Sequence, residues 1–198
     1  MSGSVVVTDH GAVVVADDVR SEDPTPAVDV DRWARLAAAA LAASGARGEL
    51  TLTFVDRSEI SALNAEYMGQ DGPTDVLSFP LDEPDDDEHD DEPGDEEYGD
   101  EHGDDEPAGG PDGSDDVPVL LGDVVVCPSV ADEQFAEHAG TLDDEIALLV
   151  VHGVLHVLGH DHATPDETAT MRERELDLLS RLHWDGPPPV AFRQTHPD

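Results

Sequence analysis

Hydrophobic and polar residues alternate along several short stretches of the chain, and this two-residue period is typical of β-strands. In the sequence LTLTFVD at residues 50–56, Leu50, Leu52 and Phe54 are separated by threonines. Short apolar or β-branched runs elsewhere also predict strands, because such side chains suit a half-buried pleated surface. These runs cover residues 4–7, 12–16, 74–79 and 121–127.

Other stretches carry apolar residues at helical spacing, and several of these stretches begin with a residue that can serve as an N-cap. The predicted helices cover residues 30–43, 58–67, 129–138, 141–159 and 164–182. Ser58 and Thr141 are the expected N-caps of two of these helices, since their hydroxyl oxygens can accept backbone hydrogen bonds. Before the last helix, Thr164 and Glu167 predict a capping box, with Pro165 at the first helical position.

Strands and helices intermix along the chain, so we expect an α+β fold with a small mixed β-sheet flanked by helices. One domain is expected over residues 1–185, interrupted by residues 82–116, which hold 20 acidic residues and no basic one. Such a segment buries too little apolar surface to offset its ordering entropy, which predicts a disordered insertion. Residues 186–198 are expected to form a disordered tail.

The charge balance is extreme, with 48 acidic residues against nine basic ones, all of them arginine. This excess argues against nonspecific binding to nucleic acid, because phosphates are neutralised by arginine and lysine. The one cysteine, Cys127, excludes an internal disulfide. No apolar run reaches the roughly 18–20 residues of a membrane span, and no signal peptide is visible. We therefore expect a cytoplasmic protein without a membrane partner.

Four of the ten histidines lie within residues 151–162, VHGVLHVLGHDH. His152 and His156 are four residues apart on a helix, so their side chains share one face and can bind the same metal ion. Gly159 ends the helix, so the chain after it can turn back toward these two histidines. His162, or less favourably His160, is then the third metal ligand. Three protein ligands with an open fourth position are typical of catalytic zinc, and Asp161 is a candidate to orient a ligand.

The spacing of His152, His156, Gly159 and His162 also matches the metzincin protease pattern His-Glu-x-x-His-x-x-Gly-x-x-His. In those proteases the general base is the glutamate that follows the first histidine, and here that residue is Gly153. A proteolytic mechanism would lack its proton acceptor, which argues against a peptidase.

Three motifs follow a recognisable pattern along the chain. Asn64 and Tyr67 are followed by PTDVLSFP at residues 73–80, the strand LGDVVVC covers residues 121–127, and HGVLHVLGHDH covers residues 152–162. The last segment resembles the signature His-Gly-x-Leu-His-x-x-Gly-x-Asp-His, and LGDVVVC is similar to a Gly-Asp-Ile strand. Together the three motifs resemble the YbeY family of bacterial metal-dependent endoribonucleases.

The resemblance implies one zinc ion held by His152, His156 and His162 at the end of a cleft. It implies hydrolytic cleavage of single-stranded ribosomal RNA, near the 3′ end of the small-subunit RNA, and association with the ribosome or a ribosomal protein. One position departs from the pattern, because Met68 stands where many members carry an arginine that would suit a phosphate. Arg57 is a candidate to bind the substrate in its place.

No side chain is an obvious general base; Asp75, Asp123 and Asp161 are the candidates. Cleavage by the 2′-hydroxyl of the RNA competes with metal-assisted hydrolysis. A non-catalytic, zinc-containing ribosome-assembly factor is the alternative function, and a metalloprotease is the third.

The acidic insertion has several possible roles beside a tolerated, solvated loop. It can be an adaptation to a salty cytoplasm, a contact to a basic partner, or a mimic of RNA that screens the cleft.

Overall fold

A computed structural model describes residues 4–20, 26–81 and 119–194. The predicted insertion at residues 82–116 lies outside the described residues. Within them the chain forms one five-stranded sheet and five helices, which confirms the predicted α+β fold. No helix in these ranges combines the length and the apolar character that crossing a bilayer requires.

The sheet is mixed, with the strand order β1-β2-β3-β5-β4. Its strands are β1 (Val5–Asp9), β2 (Ala12–Asp18), β3 (Gly48–Phe54), β4 (Val76–Pro80) and β5 (Leu120–Val126). β2, β3 and β5 run parallel, while β1 and β4 pair antiparallel with β2 and β5 at the two edges. The strand β4 therefore lies at one edge of the sheet, where it forms one wall of the cleft described below.

Helices cover one face of the sheet and part of the other. They are α1 (Val30–Ala43), α2 (Arg57–Leu63), α3 (Pro128–Gln134), α4 (Leu142–Val157) and α5 (Pro165–Leu182), and a π-helical turn (Asn64–Met68) continues α2. The predicted caps of α4 and α5 are confirmed, including the capping box of Thr164 and Glu167.

The prediction of Ser58 as the N-cap of α2 is wrong, because the helix already begins at Arg57. Asp56 caps the helix instead, and its carboxylate accepts hydrogen bonds from the backbone N–H groups of Ser58 at 3.0 Å and Glu59 at 3.1 Å. An aspartate and a serine two residues apart are both good caps, and the sequence pattern did not distinguish between them.

The helix α4 is the centre of the fold and is buried on nearly all sides. It packs against β4 and β5 on one side and against α1 and α5 on the other. Among its apolar side chains, Leu149, Val150, Val151, Val154 and Leu155 are inaccessible to solvent. A helix with apolar residues all round is stable only in such an interior, so its histidines are carried on a rigid element.

Residues 186–194 depart from the expected disordered tail, because they fold back over α5 and the loop before α4. The ring of Phe192 lies 4.7 Å from that of Trp184, and the backbone N–H of Arg193 donates to His138 at 2.8 Å. The three prolines at residues 187–189 lower the entropy that ordering costs, and Phe192 supplies an apolar anchor. Residues 195–198 lie outside the described residues.

Gly153 allows α4 to approach the sheet closely. A Cβ atom at this position would lie 2.5 Å from Cγ1 of Val124 in β5 and 3.2 Å from Oγ of Ser78 in β4. The side chain of residue 153 therefore points into the packed layer between α4 and the sheet. A glutamate side chain would not fit at this position. The general base of the protease pattern is therefore excluded here by sterics as well as by sequence.

Replacing Gly153 with alanine is expected to lower the free energy of unfolding by about 1–3 kcal/mol, because overpacking outweighs the higher helix propensity of alanine. Urea unfolding monitored by circular dichroism measures the change. The double variant Gly153→Ala, Val124→Ala removes the clash. Its free energy of unfolding should therefore fall by less than the sum of the losses in the two single variants. A Gly153→Ala variant as stable as the wild type would contradict the close packing of α4 against the sheet.

Candidate metal centre

Three histidines meet at the C-terminal end of α4. His152 and His156 lie one turn apart on the same face of the helix, with their ring centres 4.5 Å apart. Gly159 has a φ of +80°, a conformation that glycine adopts without strain, and there the chain leaves the helix. The following loop returns His162 to the first two rings, so the predicted ligands come together.

One nitrogen of each of these rings lies within 4.8 Å of the other two, so they can face a common metal ion. Nε2 of His152 and Nε2 of His156 are 3.1 Å apart, close enough to share a proton or a metal ion. His152 is buried and the other two are half-buried, so the group is open on one side. We refer to His152, His156 and His162 as the histidine triad. His160 is half-buried and lies outside it.

Glu175 of α5 orients His152, a role for which the sequence had suggested Asp161 instead. Glu175 is 4% exposed, and its Oε1 accepts a hydrogen bond from Nδ1 of His152 at 2.7 Å. This contact leaves Nε2 of His152 facing the other two histidines of the triad. Many metal sites use a carboxylate in this way to fix a histidine ligand. Asp161 is exposed and accepts the backbone N–H of His162 at 2.7 Å, so it shapes the returning loop.

A sequence signal for Glu175 existed but was missed. Glu175 lies in the apolar stripe of α5 with Met171, Leu178 and Leu179, all of them buried. A glutamate on the buried face of an amphipathic helix needs a partner, because burying an unpaired charge is costly. Its partner is in another helix, and helical spacing alone does not reveal which one.

Burial lowers the pKa of His156 to about 4, with a further lowering by the neighbouring rings of His152 and His162. We expect the His156 ring of the metal-free protein to stay neutral between pH 7.5 and 5.5. Because its folded pKa lies below the value of an unfolded histidine, the unfolded chain binds the proton first, and the fold loses stability as the pH falls from about 6.5 toward 4. Ring resonances of ¹⁵N-labelled histidine would show this, and a titration midpoint near 6.5 would contradict it.

A cleft of about 390 Å³ opens in front of the triad. Its walls are formed by the π-helical turn, the loop after it and the edge strand β4. The lining side chains other than the histidines are uncharged: Asn64, Met68, Gln70, Thr74, Val76, Leu77 and Ser78. Met68 is therefore at the cleft, and among the described residues no arginine side chain lines it.

The remaining candidates lie away from this opening. Asp75 is 2% exposed, and its Oδ1 accepts hydrogen bonds from the backbone of Val76 at 2.8 Å and from Thr74 at 3.2 Å. Asp75 is not among the side chains that line the cleft, and its local hydrogen bonds fit a turn-shaping role better than proton transfer. Arg57 begins α2, at the end opposite the cleft, and forms an ion pair with Glu133 of α3.

Asp123 lies on the other face of the sheet from the triad. It lines a separate groove with Thr53, Leu63, Tyr67 and Phe79. Its neighbour Val124 faces α4, and successive residues of a strand point to opposite faces. Asp123 is therefore not placed to act as a base at the histidines.

Comparisons with known proteins show which family the chain is similar to. The family model described as endoribonuclease YbeY matches residues 18–183. Proteins named endoribonuclease YbeY are 41% identical in Thermobifida fusca (82% of this chain, 91% of the relative), 40% identical in Frankia casuarinae (88% and 75%) and 38% identical in Mycolicibacterium vanbaalenii (74% and 67%).

A solution structure from Thermotoga maritima is 20% identical, covering 87% of this chain and 93% of that one, with a TM-score of 0.47. The matched residues 18–183 include the triad, Glu175 and the cleft wall. The chain belongs to the endoribonuclease YbeY family.

Proposed function

We propose that the protein is a zinc-dependent endoribonuclease, specific for single-stranded RNA, that acts in the cytoplasm on ribosomal RNA. The observation that carries this proposal is the histidine triad, held on one side by a buried carboxylate and open to a cleft on the other. Family membership supports RNA as the substrate. Maturation of the 3′ end of the small-subunit RNA and ribosome quality control are the proposed processes.

The triad fits zinc in both ligand type and number. Three imidazole nitrogens within 4.8 Å of one another can hold one ion and leave a fourth position toward the cleft. Bound zinc would supply a Lewis acid for a phosphoryl oxygen and a water of lowered pKa. His152, His156 and His162 are the proposed ligands, with Glu175 as the residue that holds His152.

The rest of the cleft is suited to position RNA by hydrogen bonds. Side chains of Gln70, Thr74 and Ser78 offer uncharged donors and acceptors along its wall. A cleft of about 390 Å³ is in the range of small-molecule sites, so it suits one nucleotide rather than a duplex. This size supports the preference for single strands.

Asp75 and Asp161 stay proposals as proton-transfer residues, and their contacts favour structural roles for both. Arg57 is a weak proposal for substrate binding, since Glu133 already neutralises its charge. A cleft without arginine gives little electrostatic attraction to phosphates, and the acidic surface repels them. We therefore propose that the ribosome or a ribosomal protein presents the RNA, with the acidic insertion as a contact for a basic partner.

A labelled RNA containing a single-stranded segment flanked by a hairpin tests the function. We expect the zinc-loaded protein to cut within the single strand only, and a chelator to stop the cutting until zinc is restored. The same RNA annealed to its complement is the control and should stay intact. Cleavage that persists in the chelator would contradict a metal-dependent enzyme.

The second candidate, a non-catalytic assembly factor with bound zinc, is favoured by one observation. Met68 occupies the cleft and is 44% exposed, where an arginine would serve a phosphate. Binding of one zinc per chain without any cleavage of RNA would support this candidate. A Met68→Arg variant that then gains cleavage would show that the missing guanidinium is the reason.

A further inference from the structure

The C-terminal segment, residues 186–194, is tied to the metal centre through one side chain. Nε2 of Gln194 donates to Oε2 of Glu175 at 2.7 Å and to the backbone carbonyl of Arg172 at 2.7 Å. The other oxygen of the same carboxylate, Oε1, accepts the hydrogen bond from His152. A continuous chain of hydrogen bonds therefore runs from Gln194 through Glu175 to His152.

We propose that Gln194 is a positioning residue of the metal centre and that residues 186–194 are the strap that holds it there. This inference rests on the metal-binding part of the proposed function. Through Glu175, Gln194 fixes the tautomer and the rotation of the His152 ring, so that Nε2 points into the triad.

The geometry of the carboxylate explains why it needs two partners. A glutamate with only His152 bound can still rotate about its terminal torsion, which is soft. With Gln194 on one oxygen and His152 on the other, that rotation would break a hydrogen bond. Burial strengthens this restraint, because water competes poorly for Glu175, which is 4% exposed.

Contacts along the strap hold it against the rest of the protein, so the side chain of Gln194 has a defined position. Phe192 packs on Trp184, and the indole N–H of Trp184 donates to Oδ1 of Asp144 at 2.6 Å. The backbone N–H of Arg193 binds the carbonyl of His138, and Ala191 lies against Gly140. These anchors join the strap to the loop before α4 and to the end of α5.

Two variants of Gln194 separate hydrogen bonding from packing. Gln194→Met keeps most of the volume and removes the donor, whereas Gln194→Ala removes both. Both are expected to weaken zinc binding by about tenfold, since loss of an outer hydrogen-bond partner costs about 10–100-fold in metal affinity. Val190→Ala is the control in the same strap, because Val190 is fully exposed. Competition with a chromophoric chelator measures the zinc affinity of each protein.

A second measurement uses the metal-free proteins and needs no activity. In the wild type, ¹⁵N spectra of labelled histidine should show His152 as the Nδ1–H tautomer, because Glu175 accepts the hydrogen bond from that N–H. Both Gln194 variants should show mixed tautomers or broadened signals, and Val190→Ala should match the wild type. Unfolding in urea checks that all four proteins are folded to the same extent.

The outcomes are distinct. Gln194→Met with the zinc affinity and the His152 signals of Val190→Ala would overturn the positioning role. Failure of the wild type to bind zinc would defeat the proposed function, while the tautomer spectra of the metal-free proteins would still decide the role of Gln194. Weaker zinc binding by Gln194→Ala alone, with normal spectra for Gln194→Met, would assign the effect to packing and overturn the proposal.

Discussion

Replacing His156 with alanine is expected to abolish tight zinc binding and to slow cleavage of single-stranded RNA by about 10³-fold or more. Only two imidazoles would remain, and Nε2 of His152 would lose the neighbour that now lies 3.1 Å away. Metal catalysis contributes several kcal/mol, and each ~1.4 kcal/mol corresponds to a factor of ten in rate. The variant should fold, because His156 is only half-buried.

His160→Ala is the matched control for this experiment. His160 follows the end of α4 close to His156 in the sequence, yet it is outside the triad, and its pKa is lowered by partial burial and by Arg174. Zinc content and the initial rate of RNA cleavage are measured for both variants, purified in parallel. Equal loss in the two variants would contradict a site built from His152, His156 and His162. Equal cutting by His156→Ala and the wild type would mean a contaminating nuclease.

The second large effect is expected from Glu175. Replacing it with alanine should weaken zinc binding by about 10–100-fold, the usual cost of losing a residue that orients a histidine ligand. Without the carboxylate, Nδ1 of His152 loses its hydrogen bond to Glu175 in a buried place, and the amide of Gln194 keeps only its hydrogen bond to the carbonyl of Arg172. Glu175→Gln retains an acceptor for His152, so its loss of zinc affinity should be smaller.

Glu173→Ala is the control, since Glu173 is an exposed glutamate on the same helix and its loss changes the net charge equally. Competition with a chelator measures zinc affinity, and urea unfolding of the metal-free protein measures stability. Glu175→Ala and Glu173→Ala that both bind zinc as tightly as the wild type would show that His152 needs no support. A similar loss of zinc affinity in both variants would assign the effect to net charge.

The sequence by itself predicted the parts of the fold that depend on local periodicity and capping. The caps Thr141 and Thr164 and the bounds of α1 and α5 follow from residues that are neighbours in the chain. The triad was also predicted, because two of its members are one helical turn apart and the third follows a glycine that ends the helix. Local geometry decides such a motif before any packing is known.

Other features depend on contacts that join distant parts of the chain. Residues 186–194 were expected to be disordered from their composition, yet they pack on α5 and on the loop before α4. Arg57 stays a proposal for substrate binding; it starts α2 at the end away from the cleft and pairs with Glu133, and neither contact follows from the sequence. Composition and spacing carry no information on which element lies beside another in space.

The tertiary structure alone decided how the triad is supported. Glu175 reaches His152 across 23 residues, and Gln194 reaches Glu175 across another 19, so no local pattern links them. Gly153 is required by the distance between α4 and β5, which depends on the packing of the whole sheet. The sequence determined which side chains can hold a metal ion, because helical spacing is local. The fold determined what orients them and what opens in front of them, because those contacts are made only when separate elements pack together.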